Sequence, residues 1–367
     1  MKTLLFILLF FTTLYSNDTT HSFAPSTDCK ECHATIYNEF SNSVHHHSTP
    51  QKDPIHKAVW DKHPQKNKKG QYVCGKCHTP TANNLDAMLT KGQKALPDAN
   101  NTTHQAGISC AYCHRIESIE LHKKSNTNII AKEAKNYFGT LKDHIESPYH
   151  KIKTSGNDLM KNGNVCIGCH SHKMNKWGLN VCSTNIDNEM DGTNCVSCHM
   201  PKVKGSVSEF KDTSVHAFHG FAGVHNHSEM LAKYINISLE KNKNSFSITI
   251  QNHSSHALLL HPLRLAVLKV DVVRANKKIQ LKDTLFARVI GKDGKPAMPW
   301  VADTTIKNTM IQGGEKRVIE YTFTLEKDDT INTTLGYYLV NPKVVQSLNL
   351  QDDNSSTKFY EFKKSSF

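Results

Sequence analysis

Residues 29–33 read Cys29-Lys30-Glu31-Cys32-His33. The pattern returns as Cys74-Gly75-Lys76-Cys77-His78, Cys110-Ala111-Tyr112-Cys113-His114, Cys166-Ile167-Gly168-Cys169-His170 and Cys195-Val196-Ser197-Cys198-His199. Two thiols three residues apart can form thioethers to both vinyl groups of one porphyrin. The His that follows sits on the same turn and can ligate the iron. Five copies call for five covalently bound haem c groups. Attachment falls to Cys29, Cys32, Cys74, Cys77, Cys110, Cys113, Cys166, Cys169, Cys195 and Cys198, and proximal ligation to His33, His78, His114, His170 and His199. With 23 His in 367 residues, five Cys pairs would all be trailed by His by chance about once in a million. A structural zinc wants four ligands and needs no trailing His. A disulfide framework does not require a constant two-residue gap.

Working outward, the pentads all lie between Cys29 and His199, at irregular intervals, so they are not a tandem repeat. The sequence between them is rich in Asn, Lys, Ser, Thr and His. It predicts short helices, such as Thr35–Asn42 and Asn84–Lys91, joined by long connections that the prosthetic groups would organise. From about Leu231 the character changes and cysteines stop. Period-two runs appear at Ile235, Ile237, Leu239, then Phe246, Ile248, Ile250, then Leu263, Leu265, Val267. Later ones follow at Ile279–Arg288, Lys316–Leu325 and Gly336–Val340, with Gly- and Asn-rich turns between. The fold class expected is α+β. A haem-organised region of short helices and long loops, residues 17–230, precedes an antiparallel β-sandwich, residues 231–367.

The chain opens with Met1-Lys2 and an apolar run from Thr3 to Leu14, then turns polar at Ser16. This reads as a signal peptide of residues 1–16 and points to the periplasm. The run is too short for a comfortable membrane span, and no other stretch offers one. The formal charge of +12 could suggest nucleic acid. Five haems, however, would add about ten propionate carboxylates, which largely cancel it. No nucleic-acid partner is expected, and runs such as Lys66–Lys69 read as solvated loop. Apolar residues make up 38% of the chain, little for this length, so the haem region is expected not to fold without its cofactors.

The second axial position of each iron decides between carrier and enzyme. Eighteen His remain after the five proximal ones, a surplus that points to bis-His ligation. The distal candidates are His45 (with His46 and His47 inseparable from it by sequence), His56, His150 and His216, with His122 or His144 as a fifth. His225, His227, His253, His256 and His261 are weaker distal candidates. Met200 and the unpaired Cys182 read as structural. Arg115, directly after His114, could bind an anion beside an open haem. The leading function is electron transfer between redox partner proteins. The alternative is an oxidoreductase acting on a small nitrogen or sulfur compound at one five-coordinate haem. Oligomeric state is not encoded in any motif.

The stretch Cys29-Lys30-Glu31-Cys32-His33-x3-Tyr37-x-x-Phe40-x-x-Ser43-x-His45 resembles the first haem segment of multihaem cytochromes related to the electron acceptor of hydroxylamine oxidoreductase. Gly107-Ile108-Ser109-Cys110-x-x-Cys113-His114, Cys195-x-x-Cys198-His199-Met200-Pro201 and His216-x-Phe218-x-Gly220 are similar in the same sense. The resemblance covers about residues 26–230. It implies periplasmic electron transfer among nitrogen or sulfur compounds, closely stacked haems and His distal ligands, with His45 and His216 the distal residues it favours. Every pentad here ends in His, unlike the lysine-ligated active haem of ammonia-forming nitrite reductases, which speaks against that activity.

Overall fold

The computed structural model describes residues 22–141, 147–153, 157–186, 190, 192–258 and 260–367. The segment read as a signal peptide and the candidate His144 lie outside them. Among the described residues no helix is long and apolar enough to cross a membrane.

Each pentad occupies about one helical turn. The His N–H donates to the carbonyl of the first Cys at 2.9 Å for His33 and His78 and at 3.0 Å for His114. Positions i, i+3 and i+4 of a helix share a face, so both thiols and the imidazole emerge on the same side. Local caps fix these turns. Ser109 Oγ accepts from Tyr112 N at 3.2 Å. Asn194 and Ser197 form a reciprocal capping box at the start of Cys195–His199. The expected helices at 35–42 and 84–91 are Ala34–Ser41 and Leu85–Leu89. Between the pentads run two-stranded ribbons: Ile116–Glu120 with Thr127–Ile130, Asn136–Phe138 with Lys151–Lys153, His172–Met174 with Asn180–Ser183, and Lys202–Lys204 with Val215–Ala217.

Beyond Tyr234 the chain is almost entirely strand and turn. One antiparallel sheet sets Phe246–Asn252 between Ile235–Lys241 and Lys316–Tyr321. A second is built on Leu265–Arg274. Lys277–Gln280 and Thr284–Phe286 line one edge of this strand, and Thr330–Tyr338 followed by Phe359–Ser366 lies on the other side. The alternation Ile235/Ile237, Phe246/Ile248/Ile250 and Leu268/Val270/Val272 turns one face of each sheet inward. Those faces meet in a single apolar cluster with Ile331, Leu335 and Tyr337. The molecule is thus a mixed α+β fold.

Two expected strands differ from those found. The run 279–288 is broken into Lys277–Gln280, Thr284–Phe286 and Arg288–Lys292, the last pairing in a separate small sheet with Lys295–Pro296 and Thr304–Asn308. Lys282 and Asp283 interrupt the apolar alternation at the break. The run 336–340 begins earlier, at Thr330, because Ile331, Thr333 and Leu335 continue the buried register.

The two parts of the chain are fastened together. Asn175 Nδ2 donates to the carbonyls of Pro299 and Ala302, both at 2.7 Å. Arg288 donates to Asn180 O at 2.6 Å. Ala58, on helix Pro54–Lys62, packs with Leu263, Val340, Val345, Leu348 and Leu350.

Candidate haem-binding cavity

A continuous cavity of about 3320 Å³ runs through the molecule, and all ten pentad cysteines and all five pentad histidines line it. A single small-molecule pocket measures about 300–1,000 Å³, so this space is sized for several large ligands. Its walls gather the residues that covalent haem attachment requires, which is the fit expected if the porphyrins replace a missing apolar core.

The pentads are close to one another in a definite order. The Cys29 and Cys110 thiols are electrostatic neighbours, as are those of Cys77 and Cys169 and of Cys166 and Cys195. Cys113 is an electrostatic neighbour of both Cys166 and Cys169. The first pentad thus adjoins the third, the third adjoins the fourth, and the fourth adjoins both the second and the fifth. The imidazoles repeat this map: His33 senses His114, His78 senses His170, and His170 senses His199.

Second-sphere contacts orient the proximal rings. The Nδ1 atoms lie against backbone carbonyls: His33 on Val207 at 2.6 Å, His114 on Phe138 at 2.7 Å, His199 on Ala222 at 2.6 Å and His78 on Ser48 at 3.3 Å. Carbonyls only accept, so Nδ1 carries the proton and the Nε2 lone pair is left for a metal. Burial pushes His78 down to about 3, which keeps the ring neutral.

Two imidazoles sharing one iron at metal–nitrogen distances of about 2.0 Å have ring centres about 6 Å apart. Four proximal histidines face another His at that spacing. His33 and His150 are 6.3 Å apart, His114 and His219 6.2 Å, and His199 and His256 6.1 Å, with interplanar angles of 24°, 22° and 11°. His45 and His170 are 5.9 Å apart and nearly perpendicular, at 76°. Burial holds His45 and His219 at about 3, so both are neutral. Gly107 permits the approach at His45. It has φ +62°, a Cβ there would collide with the His45 carbonyl, and Ile108 N donates to that carbonyl at 3.1 Å. Phe221, at φ +55°, packs edge-on against both His45 and His219. A bulky residue held in left-handed backbone is strained, and here it wedges between two ring pairs. Among the described residues no group of three or more His, Cys, Asp or Glu converges as a free metal ion would need.

The remaining distal expectations fall elsewhere. His56 does not oppose His78. Its ring centre is only 4.1 Å away, its Nδ1 lies on Ser48 O at 2.9 Å and its Nε2 on Tyr72 Oη at 3.1 Å. His216 has no free nitrogen, with Nδ1 on Gly205 O at 3.0 Å and Nε2 on the Glu39 carboxylate at 2.9 Å. His122 sits on the surface beside Glu120. Of the 45–47 triplet, His46 accepts from Lys52 Nζ at 3.0 Å and His47 contacts Ser43 O. Arg115 is not an anion site. It is fully buried and donates to the carbonyls of Ser22 and Ala131 at 2.8 and 2.7 Å. Sequence reasoning passed over His219, three residues after His216, and ranked His256 only among the weaker candidates.

Residues 28–115 and 119–200 match the family described as cytochrome c554 and c-prime. No curated protein matches the chain significantly. Among solved structures the fold is similar to that of a penta-heme cytochrome c552 from Thermochromatium tepidum, with a TM-score of 0.74 and 21% identity over 95% of this chain and 99% of that one. The five pentads and the family match over residues 28–115 and 119–200 support a multihaem c-type cytochrome with covalently bound haem.

Proposed function

We propose that the chain is a pentahaem electron-transfer cytochrome. It is divided into a cytochrome region (17–230) and a β-sandwich (231–367), and is exported to the periplasm with residues 1–16 removed. Four iron positions take two imidazoles, the pairs being His33/His150, His114/His219, His45/His170 and His199/His256. The fifth, on His78, takes one. When bound, the haems supply one-electron redox couples. The single observation that carries the reading is the roughly 6 Å spacing of four opposed rings, with no such partner for His78 among the described residues.

The chain's own part is to tether, orient and exclude water. Paired imidazoles close both faces of four positions and leave no room for substrate, which suits carriage of electrons. The thiol neighbours support a path from the first pentad through the third to the fourth, branching there to the second and the fifth. The lone His78 favours a second reading: an oxidoreductase that binds a small nitrogen or sulfur compound at this one open position and receives electrons along the path.

Electron paramagnetic resonance of the oxidised protein, with pyridine haemochrome and intact mass, tests both. Five haems per chain, four low-spin and one high-spin, with one carbon monoxide bound per reduced chain, is the expected result. Five low-spin haems that refuse carbon monoxide would leave only the carrier, and fewer than five haems would overturn the pentahaem reading.

A further inference from the structure

We infer that the turn 175–178 and the hairpin 291–296 together form a docking face for an acidic redox protein, centred on Trp177 and edged by Lys176, Lys292 and Lys295. The inference rests on the electron-transfer reading of the chain.

Trp177 stands at the tip of the ribbon formed by His172–Met174 and Asn180–Ser183, which starts two residues after His170 of the fourth pentad. A chain advances at most about 3.6 Å per residue, so the Trp177 Cα lies within about 25 Å of that of His170. Lys173, Met174 and Asn175 line the cavity, whereas Trp177 does not. The indole is on the outer side of that wall and is 49% exposed. The tip is fixed in place. Asn175 Oδ1 accepts from Trp177 N at 2.9 Å and from Leu179 N at 3.1 Å, and Gly178 turns the chain at φ +86°. The Asn175 amide also holds the carbonyls of Pro299 and Ala302, and the turn that carries them presents Val301, 42% exposed. An indole held on a rigid turn loses little freedom when covered, and such residues anchor the centres of interfaces.

The charge around the ring has one sign. Lys176 Nζ lies 4.4 Å and Lys292 Nζ 4.8 Å from its centre. Lys292 sits directly opposite Lys295 in the strand pairing. Opposed residues share a face, and like charges there repel. Among the described residues the lysines in ion pairs are Lys57, Lys66, Lys161, Lys278 and Lys364, so none of these three has a carboxylate partner, Asp293 at the turn between Lys292 and Lys295 included. Lys292 and Lys295 do not line the cavity, so the propionates of a bound porphyrin do not answer them. Cations held against an exposed indole and left unpaired complement an acidic surface. Each productive encounter moves one electron. The partner is oxidised by one, one iron of this chain passes from ferric to ferrous, and no bond is made or broken.

The test uses the full-length, haem-loaded protein, with a reduced plant-type [2Fe–2S] ferredoxin, an acidic one-electron donor, as the probe and dithionite as the small donor for comparison. Stopped-flow absorbance gives the second-order rate of haem reduction against ionic strength. The wild-type rate with ferredoxin should fall steeply as salt is added. K292E/K295E should be at least about tenfold slower at low salt and converge on wild type at about 0.5 M salt, where such charges are screened. W177A should be slower by about threefold or more at every ionic strength, because salt does not screen an apolar contact. Dithionite should reduce all of them alike. K243E/K277E, which reverses two exposed lysines at other turns of the sheet region, should keep most of the wild-type rate. Equal slowing of K243E/K277E and K292E/K295E would overturn the face and assign the attraction to total charge. A wild-type ferredoxin rate in K292E/K295E would overturn it as well, and if that variant instead loses binding to phosphatidylserine vesicles, the face belongs to a membrane surface. Wild-type haem that dithionite cannot reduce would instead remove the electron-transfer reading beneath it.

Discussion

From Ile235 to Tyr337 the buried side chains are aliphatic and aromatic and touch each other in one cluster, drawn from two facing sheets. From Phe23 to Ala222 the same kinds of residue form only scattered knots, such as Phe23 with Tyr112 and Trp60 with Tyr72 and Met88. What occupies the middle of that region is a cavity ringed by thiols and imidazoles. One half of the molecule closes on its own side chains, and the other is shaped to close on something added. The largest prediction tests this contrast. Expressed without haem attachment, the chain should keep a protease-resistant core covering residues 231–367 and lose essentially all protection in residues 22–230. A uniformly resistant product would break the comparison.

The two halves meet at one of the proposed ring pairs. His256, from the loop after strand Phe246–Asn252, is the ring opposed to His199 of the last pentad. On the proposed pairing the sheet region would complete a site that begins in the other region, which a simple cap would not do. H256A should convert one low-spin haem to high-spin, and H219A should do the same within the cytochrome region. H56A and H216A should leave every spin state in place, because those rings already have partners for both nitrogens. An H256A protein with an unaltered resonance spectrum would reduce the sheet region to a cover.

What could be read along the chain was whatever depends on neighbours in sequence. The pentads are local chemistry, since one helical turn brings Cys, Cys and His to one face. The first two strands, from Ile235 and from Phe246, announced themselves by alternation, a local periodicity. The opposed ring pairs are different. His33 meets a ring at position 150 and His114 one at 219, and no spacing rule spans such distances. His216 and His219 have near-identical surroundings in sequence. Glu39, far away in the chain, captures His216 and accepts from His219 N at 2.8 Å, so His219 is the ring that faces His114.

The smallest effect separates the halves by pH. Arg274 grips Asp329 with two hydrogen bonds, Nε to Oδ1 at 2.9 Å and Nη2 to Oδ2 at 2.6 Å, and also meets Glu326 at 2.7 Å. The guanidinium, above all through its hydrogen bonds, holds the Asp329 carboxyl down at about 2 against an ordinary value of 3.8. A depressed carboxyl stabilises the fold above its unfolded value and ceases to do so as pH falls through its folded value. The contribution should be complete above pH 3.8 and disappear towards pH 2. Amide exchange in strand Leu265–Arg274 should therefore accelerate over that window. D329N should accelerate it modestly at neutral pH and flatten the acid response there, while leaving the spectra of the pentads before Cys195 unchanged. If the acid response survives D329N intact, the sheet's acid sensitivity comes from other carboxylates, and this pair contributes little to stability.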